Sequence, residues 1–140
     1  NMIILKEFLE YASVYGNRYG TSRKGVRSIV SRGIDAVLEI DVQGGRNVKE
    51  TLPDAVLVGI FPPDWETLER RLSGRGRDSR EEMETRLDAA GREMRELLDY
   101  DYLLVNDDLE NAVTQVEWIV RARRLRRERV RARMERILNR

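Results

Sequence analysis

The sequence contains neither cysteine nor histidine. Without cysteine the chain has no disulfide framework and no thiolate zinc site. Without histidine it cannot build a Ser-His-Asp or Cys-His mechanism, nor an imidazole metal site. Any chemistry must therefore use carboxylates, arginines, hydroxyls and a bound ion such as magnesium, which favours phosphate or sugar chemistry over most hydrolase and redox chemistry.

Long apolar runs are also missing. No stretch approaches the roughly 18 apolar residues of a membrane span, and no charged segment precedes an apolar core as in a signal peptide. The 140 residues are 41% hydrophobic and 36% charged, which is typical of one compact soluble domain. Together with the lack of cysteine, these features predict a cytoplasmic protein with no membrane partner.

The charges are separated along the chain although their total is nearly balanced. Residues 121–140 contain ten arginines and two glutamates, a net charge of +8, whereas the first 120 residues carry 16 basic and 23 acidic side chains. Apolar residues recur at helical spacing through the C-terminal segment, so the sequence predicts a basic helix over about 109–138. Two interpretations stay open: a helix that packs on the core with a solvated basic face, or one that binds RNA or phosphate.

Strand-like and helical segments alternate along most of the chain, which predicts an α/β fold with a parallel sheet and flanking helices. A turn signal at Gly16-Asn17 predicts a small β-hairpin within residues 12–22. The predicted strands are Ala36–Ile40, Ala55–Phe61 and Tyr102–Val105. The predicted helices are Met2–Ala12, Ser22–Arg32, Gly45–Thr51, Asp64–Leu72, Arg80–Leu98 and a last one from about Leu109.

A first group of polar residues suits the recognition of a guanine base. It contains Glu10, Tyr19, Thr21, Glu39 and Asp41. A carboxylate can accept from the ring N–H and the exocyclic amine of guanine at once, a pair of donors that adenine does not offer. Two acids two residues apart on a strand point to the same face. The competing interpretation is an ordinary acidic surface with tyrosines in turns.

A second group lies in the segment ERRLSGRGRDSR, residues 69–80. Two glycines alternate with Arg75 and Arg77, and guanidinium groups stabilise the charge of a transferring phosphoryl group. Ser79 and Glu82 have the spacing of a capping box, which predicts the start of the next helix. The segment suits a mobile lid over phosphates, and the alternative is a solvated connection.

Asn106 ends the last predicted strand, where its amide could form hydrogen bonds with a purine. Asp107 and Asp108 follow it directly. Either of these acids is a good N-cap, so a structural role for this cluster is the alternative.

Five stretches, taken together, resemble the guanylate kinase family and occur in its order and spacing. They are FLEYASVYGNRYGTS (Phe8–Ser22), LEIDVQG (Leu38–Gly44), IFPP (Ile60–Pro63), RRLSGRGRDS (Arg70–Ser79) and DYLLVNDDL (Asp101–Leu109). The resemblance implies a nucleoside monophosphate kinase that transfers the terminal phosphoryl group of ATP to GMP with magnesium. It also implies the fold of P-loop nucleoside monophosphate kinases, with a hairpin-containing nucleotide-binding subdomain and an arginine-rich lid.

The same resemblance implies roles for single residues. Glu10, Thr21 and Asp41 would read guanine, with Glu39 beside them, and Tyr19 would hold the phosphate of GMP. Arginines of the lid region would close on the phosphates of ATP during transfer, and Asn106 would lie beside the adenine. Those arginines are Arg71, Arg75 and Arg86, of which Arg75 would also bind ATP.

One motif of the family is missing from these residues. No G-x-x-x-x-G-K-[ST] occurs, although the family uses that loop to hold the ATP phosphates. The resemblance therefore implies the C-terminal three-quarters of the enzyme, without its first strand, and inactive alone. Residues 1–34 would be the remainder of the GMP-binding subdomain, and 35–140 the core with a lid at about 73–86.

Two alternatives to the kinase remain open: a guanylate-kinase-like binding module without catalysis, and RNA binding through the basic helix. The resemblance favours GMP and ATP over nucleic acid as partners. Because a sheet without its first strand has exposed edges, a homodimer or domain swap is a further hypothesis.

Overall fold

The computed structural model describes residues 7–14, 17–73 and 79–139, with residues 11–14 and 17–19 described by their backbone. Its elements, in chain order, are β1 Phe8–Val14, β2 Asn17–Ser22, α1 Arg23–Ser31, α2 Val42–Thr51, β3 Val58–Phe61, α3 Trp65–Ser73, α4 Arg80–Leu97, β4 Tyr102–Val105, α5 Leu109–Arg124 and α6 Arg127–Leu138. The alternation of strands and helices confirms the predicted mixed α/β fold.

The hairpin is confirmed, and it extends further toward the N-terminus than predicted. β1 and β2 pair antiparallel, with Ala12 opposite Tyr19 and Val14 opposite Asn17. The predicted helix over Met2–Ala12 is wrong from Phe8 onward, because pairing with β2 satisfies the backbone of these residues as a strand. Its first residues, and Tyr15 and Gly16 of the predicted turn, lie outside the described residues.

Helix α1 follows the hairpin as predicted. Ser22 is its N-cap, and the Ser22 hydroxyl accepts a hydrogen bond from the Gly25 N–H at 3.3 Å. Gly33 ends the helical segment with φ of 75°, a left-handed conformation that glycine adopts without strain. The α1 helix contacts β2, so the hairpin and the helix form one local unit.

The predicted strand Ala36–Ile40 is wrong: no strand is assigned between Gly33 and α2. A strand needs a neighbouring segment that completes its hydrogen-bond ladder, and among the described residues none pairs with this extended stretch. Helix α2 also begins three residues earlier than predicted. The reason is that Asp41 supplies the N-cap and accepts from the Gly44 N–H at 2.7 Å.

Strands β3 and β4 form the second sheet and run parallel. The Tyr102 N–H donates to the Leu57 carbonyl at 3.1 Å, and the Asn106 N–H donates to the Phe61 carbonyl at 2.7 Å. Both bonds connect residues in the same ascending order, as a parallel pair requires. β4 has the predicted bounds, whereas β3 is shorter than the predicted Ala55–Phe61.

Helices α3 and α4 begin at the predicted caps. The Asp64 carboxylate accepts from the Thr67 N–H at 2.6 Å. Ser79 and Glu82 form the predicted capping box, since the Glu82 carboxylate accepts from the Ser79 N–H at 2.8 Å and the Ser79 hydroxyl accepts from the Glu82 N–H at 3.3 Å.

The predicted continuous helix over 109–138 is instead two helices, α5 and α6. The chain leaves helical geometry at Arg126, whose ψ is 142°. The Leu125 N–H donates to the Ala122 carbonyl at 3.1 Å, and this i−3 bond tightens and ends the last turn of α5.

The chain divides by its contacts into two compact units. Unit 1 is Asn1–Gly59 with Ala90–Tyr102, and unit 2 is Ile60–Ala89 with Leu103–Arg140. Leu9 and Val48 are buried in unit 1, where α2 contacts β1. The predicted division into residues 1–34 and 35–140 concerns ligand roles and stays a prediction. None of the helices in the described ranges is both long and apolar enough to cross a bilayer.

Candidate functional site

Glu10 is the buried carboxylate of unit 1. It lies on β1 and is 9% exposed. The Thr21 hydroxyl, on the neighbouring strand β2, donates to Glu10 Oε1 at 2.5 Å. A buried carboxylate is costly unless it accepts hydrogen bonds, and the hairpin register supplies this donor by pairing Glu10 with Thr21.

Gly44 is the point where Glu10 and Asp41 meet. A Cβ built on Gly44 would lie 3.5 Å from Glu10 Oε2 and 3.2 Å from Asp41 Oδ1. The carboxylates of β1 and of the α2 N-cap therefore lie against the same buried glycine. Glu10 and Asp41 thus place hydrogen-bond acceptors side by side at the start of α2. The backbone N–H donors of the first helical turn lie beside them.

Asp41 and Glu39 are both exposed, but they have different structural positions. Asp41 is exposed and uses Oδ1 to cap α2, so its other oxygen is left to face solvent or a ligand. Glu39 is exposed in the extended stretch before α2. Because no strand forms there, the alternation of side chains along a strand does not place Glu39 and Asp41 on one face. Tyr19 lies on β2 opposite Ala12.

The first turn of α2 is held by the segment that connects α4 to β4. The Tyr100 hydroxyl lies against Gly45 so closely that a side chain at position 45 would overlap it. Arg46 forms an ion pair with Glu96 one residue further along α2. Burial, followed by the nearby charges of Glu96 and Asp41, raises the pKa of the Tyr100 phenol above its usual value.

Lys49 and Asp101 tie the same segment to the middle of α2. The Lys49 ammonium donates to Asp101 at 2.9 Å and to the Ala55 carbonyl at 2.7 Å. Asp101 also accepts from the Leu57 N–H at 2.8 Å. These contacts fix α2 relative to the chain before β3, and they stabilise the position of the Asp41 cap.

The arginines that were predicted to bind the phosphates of ATP, where the structure describes them, belong to unit 2. Arg71 is exposed at the end of α3, and Arg86 is exposed on α4. Arg86 lines an open cavity of ≈ 540 Å³ with Ser79, Glu81, Glu82 and Thr85.

The capping box at the start of α4 carries a perturbed carboxyl. Hydrogen bonds from Ser79 lower the pKa of the Glu82 carboxyl below its usual value, and the charge of Arg86 contributes in the same direction. Asn106 follows β4 and is half-buried. Arg75 and the rest of residues 74–78 of the predicted lid lie outside the described residues.

Tyr100, Gly44 and Gly45 are the residues of this site that sequence reasoning did not single out. Gly44 and Gly45 follow the stretch LEIDVQ directly. Two adjacent glycines at a helix start indicate that something approaches the backbone closely, and this signal could have found the contact. Nothing in the local pattern identifies Tyr100 as the group that approaches.

The comparisons with known proteins agree with this arrangement of elements. A family model described as guanylate kinase matches residues 1–123. The guanylate kinase of Neisseria meningitidis serogroup A is 46% identical over 129 residues, which cover 92% of this chain and 63% of that protein. The guanylate kinase of Escherichia coli K12 is 42% identical over 138 residues, which cover 99% of this chain and 67% of that protein.

The structural comparison gives the same relationship. The crystal structure of guanylate kinase from Anaplasma phagocytophilum superposes with a TM-score of 0.73 at 30% identity, covering 95% of this chain and 68% of that one. The chain thus spans about two thirds of the length of the curated relatives it matches.

Proposed function

This chain belongs to the guanylate kinase family, and from that premise we propose that it supplies the GMP-reading part of an ATP-dependent kinase that converts GMP to GDP. The hydrogen bond from the half-buried Thr21 to the buried Glu10 carries the proposal. A buried carboxylate whose second oxygen faces the start of a helix suits the two adjacent donors of guanine.

Three of the predicted residues would read the base. Glu10 accepts from the ring N–H and the exocyclic amine, Thr21 orients that carboxylate, and Asp41 adds a second acceptor beside Gly44. Adenine lacks this pair of donors, so the binding of AMP would leave buried acceptors unpaired. We expect the site to prefer GMP over AMP by about 10⁴-fold for this reason. Glu39 and Tyr19 are proposed beside them, Tyr19 on the phosphate of GMP.

The arginines would act on the phosphates of ATP. Guanidinium groups match phosphate oxygens in a planar, two-pronged geometry and stabilise charge that develops during transfer. We assign this role to Arg71, Arg75 and Arg86, and a position beside the adenine to Asn106. ATP would supply the phosphoryl group that is transferred.

Magnesium is proposed as the ion of the reaction, where it would neutralise charge on the phosphates. Within the described part of the chain, no cluster of three or more carboxylates has the geometry of a metal site. We therefore assign magnesium no ligand among these residues. The motif G-x-x-x-x-G-K-[ST] is likewise not among the 140 residues, so we expect this polypeptide alone to bind GMP without ordinary kinase turnover.

Calorimetric titration of the 140-residue chain with GMP and with AMP tests the proposal. GMP should bind and AMP should not. Glu10→Gln should weaken GMP binding by about 10-fold to 100-fold, since a charge-assisted hydrogen bond contributes about 1.5–3 kcal/mol. Glu50→Gln is the matched control, because Glu50 is an exposed glutamate on α2, and it should leave the affinity unchanged.

A folded chain that binds neither nucleotide would contradict the proposal and favour a non-catalytic binding module of the same family. Equal binding of GMP and AMP would contradict the role of Glu10 as the reader of guanine. A coupled assay of ADP release at ordinary kinase turnover would contradict the expected inactivity of the isolated chain.

A further inference from the structure

The end of α4 and the residues that follow it hold α2 from one side, and we propose that they position the start of α2 for the recognition of guanine. This corner segment is Glu96–Asp101, and Tyr100 and Asp101 are its positioning residues. The corner segment and α2 both belong to unit 1. The inference rests on the proposed function, because it concerns how the two carboxylates assigned to the base are kept at their spacing.

Glu10 and Asp41 are carried by different elements. The Thr21 hydroxyl holds Glu10 within the hairpin, and Asp41 is held to α2 by the hydrogen bond that it accepts from the Gly44 N–H at 2.7 Å. Neither of these bonds joins the hairpin to the helix. The spacing of the two carboxylates therefore depends on where α2 lies against β1, which is a matter of packing and not of local geometry.

Two different sides of α2 are engaged within unit 1. At about 100° per residue, Gly45, Arg46 and Lys49 fall within about 100° of one another around the helix axis. All three contact the corner segment. Gly44 lies about 100° from Gly45 in the other direction, and there it contacts Glu10 of β1. A helix that is held on two sides has little freedom to turn or shift, so the corner segment and β1 together fix where α2 begins.

Tyr100 limits how closely α2 approaches the corner segment. Its hydroxyl occupies the place of a side chain at position 45, and a Cβ built on Gly45 would also lie 3.2 Å from Tyr100 Cζ. A tyrosine side chain has only two torsions, so its ring is a rigid stop for the helix. Burial, followed by the charges of Glu96 and Asp41, raises the pKa of the Tyr100 phenol, so the hydroxyl lies within electrostatic reach of the acid that caps α2.

Asp101 connects α2 to the chain that precedes β3. Its carboxylate accepts from the Lys49 ammonium at 2.9 Å and from the Leu57 N–H at 2.8 Å. The same ammonium donates to the Ala55 carbonyl at 2.7 Å. Because the charged pair also has backbone partners on both sides, it holds α2 in one geometry better than a lone ion pair would.

Glu96 contributes less than Tyr100 and Asp101 do. The side chains of Arg46 and Glu96 are 61% and 43% exposed, whereas those of Lys49 and Asp101 are 37% and 38% exposed. An exposed ion pair is screened by solvent and contributes little. The positioning role is therefore assigned to Tyr100 and Asp101 and not to Glu96.

The ratio of the affinities for GMP and inosine monophosphate (IMP) tests the proposal, because IMP keeps the ring N–H of guanine and lacks its exocyclic amine. In calorimetry the unaltered 140-residue chain should prefer GMP by about 10-fold to 100-fold, the effect of one charge-assisted hydrogen bond. Asp101→Ala and Tyr100→Leu should each lower this preference about fivefold, since α2 then no longer holds both acids against the two donors. A residue that only stabilises the fold would instead lower both affinities by the same factor.

Conservative and control variants make the result specific. Asp101→Asn keeps an acceptor for the Leu57 N–H and Tyr100→Phe keeps the ring, so both should retain most of the preference for GMP. Asp64→Ala is the matched control, because the Asp64 carboxylate also accepts a backbone N–H, that of Thr67 at 2.6 Å, but at the start of α3. This variant should lower the unfolding midpoint and leave the preference for GMP unchanged.

Lys49→Met keeps the test decisive if Asp101→Ala or Tyr100→Leu does not fold. It removes the ion pair from the α2 side and leaves the bond from the Leu57 N–H to Asp101 in place. Methionine is a good helix former, and far-UV circular dichroism checks that each variant keeps its helix content. Lys49→Met should lower the preference for GMP about twofold.

The outcomes separate this inference from the proposed function. A preference for GMP that falls in the corner-segment variants and holds in Asp64→Ala supports the inference. If the unaltered chain prefers GMP but the variants lose GMP and IMP affinity equally, or lose neither, the inference is overturned and the proposed function stands. An unaltered, folded chain that binds GMP and IMP equally, or binds neither, overturns the proposed function and this inference with it.

Discussion

Tyr100 places its hydroxyl against Gly45, so that the first turn of α2 can carry no side chain at this position. Gly45 is buried, and its neighbour Gly44 contacts both Glu10 and Asp41. The contact therefore sets the position of the helix start on which the two carboxylates converge. On the proposed function, Tyr100 is a positioning residue that acts through the backbone of α2.

Gly45→Ala tests this contact directly. The added methyl group would overlap the Tyr100 hydroxyl, and overpacking of this kind costs about 1–3 kcal/mol in the free energy of unfolding. We expect a lower thermal midpoint and weaker GMP binding in calorimetry. Tyr100→Phe in the same chain should restore part of both, because it removes the atom that overlaps.

Gly25→Ala is the matched control for that experiment. A Cβ at Gly25 in α1 would meet its closest neighbour at 3.7 Å, an ordinary contact, and alanine favours helix more than glycine does. Its midpoint should stay level or rise. An equal loss from Gly25→Ala and Gly45→Ala, without any recovery from Tyr100→Phe, would contradict the contact.

Substitutions of Asp41 separate its capping role from its charge. Asp41→Ala removes the acceptor for the Gly44 N–H and should cost about 1 kcal/mol of stability. Asp41→Asn keeps an acceptor at the cap and should preserve stability while it weakens GMP binding. Asp108→Ala removes the equivalent cap of α5, and it should lower the unfolding midpoint without changing GMP affinity. Unchanged GMP binding in Asp41→Asn would show that Asp41 is a cap alone.

Thr21→Val leaves the buried Glu10 carboxylate without its hydroxyl donor. We expect a loss of about 1–3 kcal/mol in the free energy of unfolding, measured by urea titration, because valine replaces the hydroxyl at similar volume. Thr114→Val is the control, since its hydroxyl donates to the exposed turn of α5 and should change stability by less than about 0.5 kcal/mol. Equal effects of the two substitutions would contradict a special role for the hydrogen bond from Thr21 to the buried Glu10.

Lowering the pH should reduce the free energy of unfolding, in part because the carboxylates that cap α3 and α4 become protonated. Hydrogen bonds from Thr67 and from Ser79 lower the pKa of the Asp64 and Glu82 carboxyls in the folded chain. Stability from a lowered carboxyl pKa is present above the unfolded value and is lost as pH falls through the folded value. The urea midpoint of unfolding should therefore fall as the pH is lowered from 6 to 2. The midpoint of the Glu82→Gln variant should fall less steeply. If the urea midpoint of Glu82→Gln fell with pH as steeply as that of the unaltered chain, this assignment to the Glu82 cap would be contradicted.

The caps were predictable because each depends on residues within four positions of one another. Ser22 before Gly25, Asp64 before Thr67, and Ser79 with Glu82 form their hydrogen bonds across one helical turn. The pairing of β1 with β2 was predictable for a similar reason, because the two strands adjoin in the chain. Glu10, Thr21 and Asp41 could be chosen from their chemistry, and the structure brings these three into unit 1.

The errors arose where distant parts of the chain compete with local preference. Residues 8–12 have a helical spacing of apolar side chains, yet pairing with β2 makes them a strand. Residues 36–40 have strand-like composition, but without a partner ladder they stay extended and unpaired among the described residues. The basic segment breaks at Arg126, after a bond from the Leu125 N–H to the Ala122 carbonyl ends α5, and apolar periodicity does not reveal this break.

The sequence by itself determined the helix caps, the α/β alternation, the charge separation and the residue types able to read guanine, since these follow from local spacing and side-chain chemistry. Only the tertiary structure decided that Tyr100 lies against Gly45 and that Glu10 is buried beside Asp41. Such contacts join residues far apart in the chain, and which of many possible pairs forms depends on how whole elements pack.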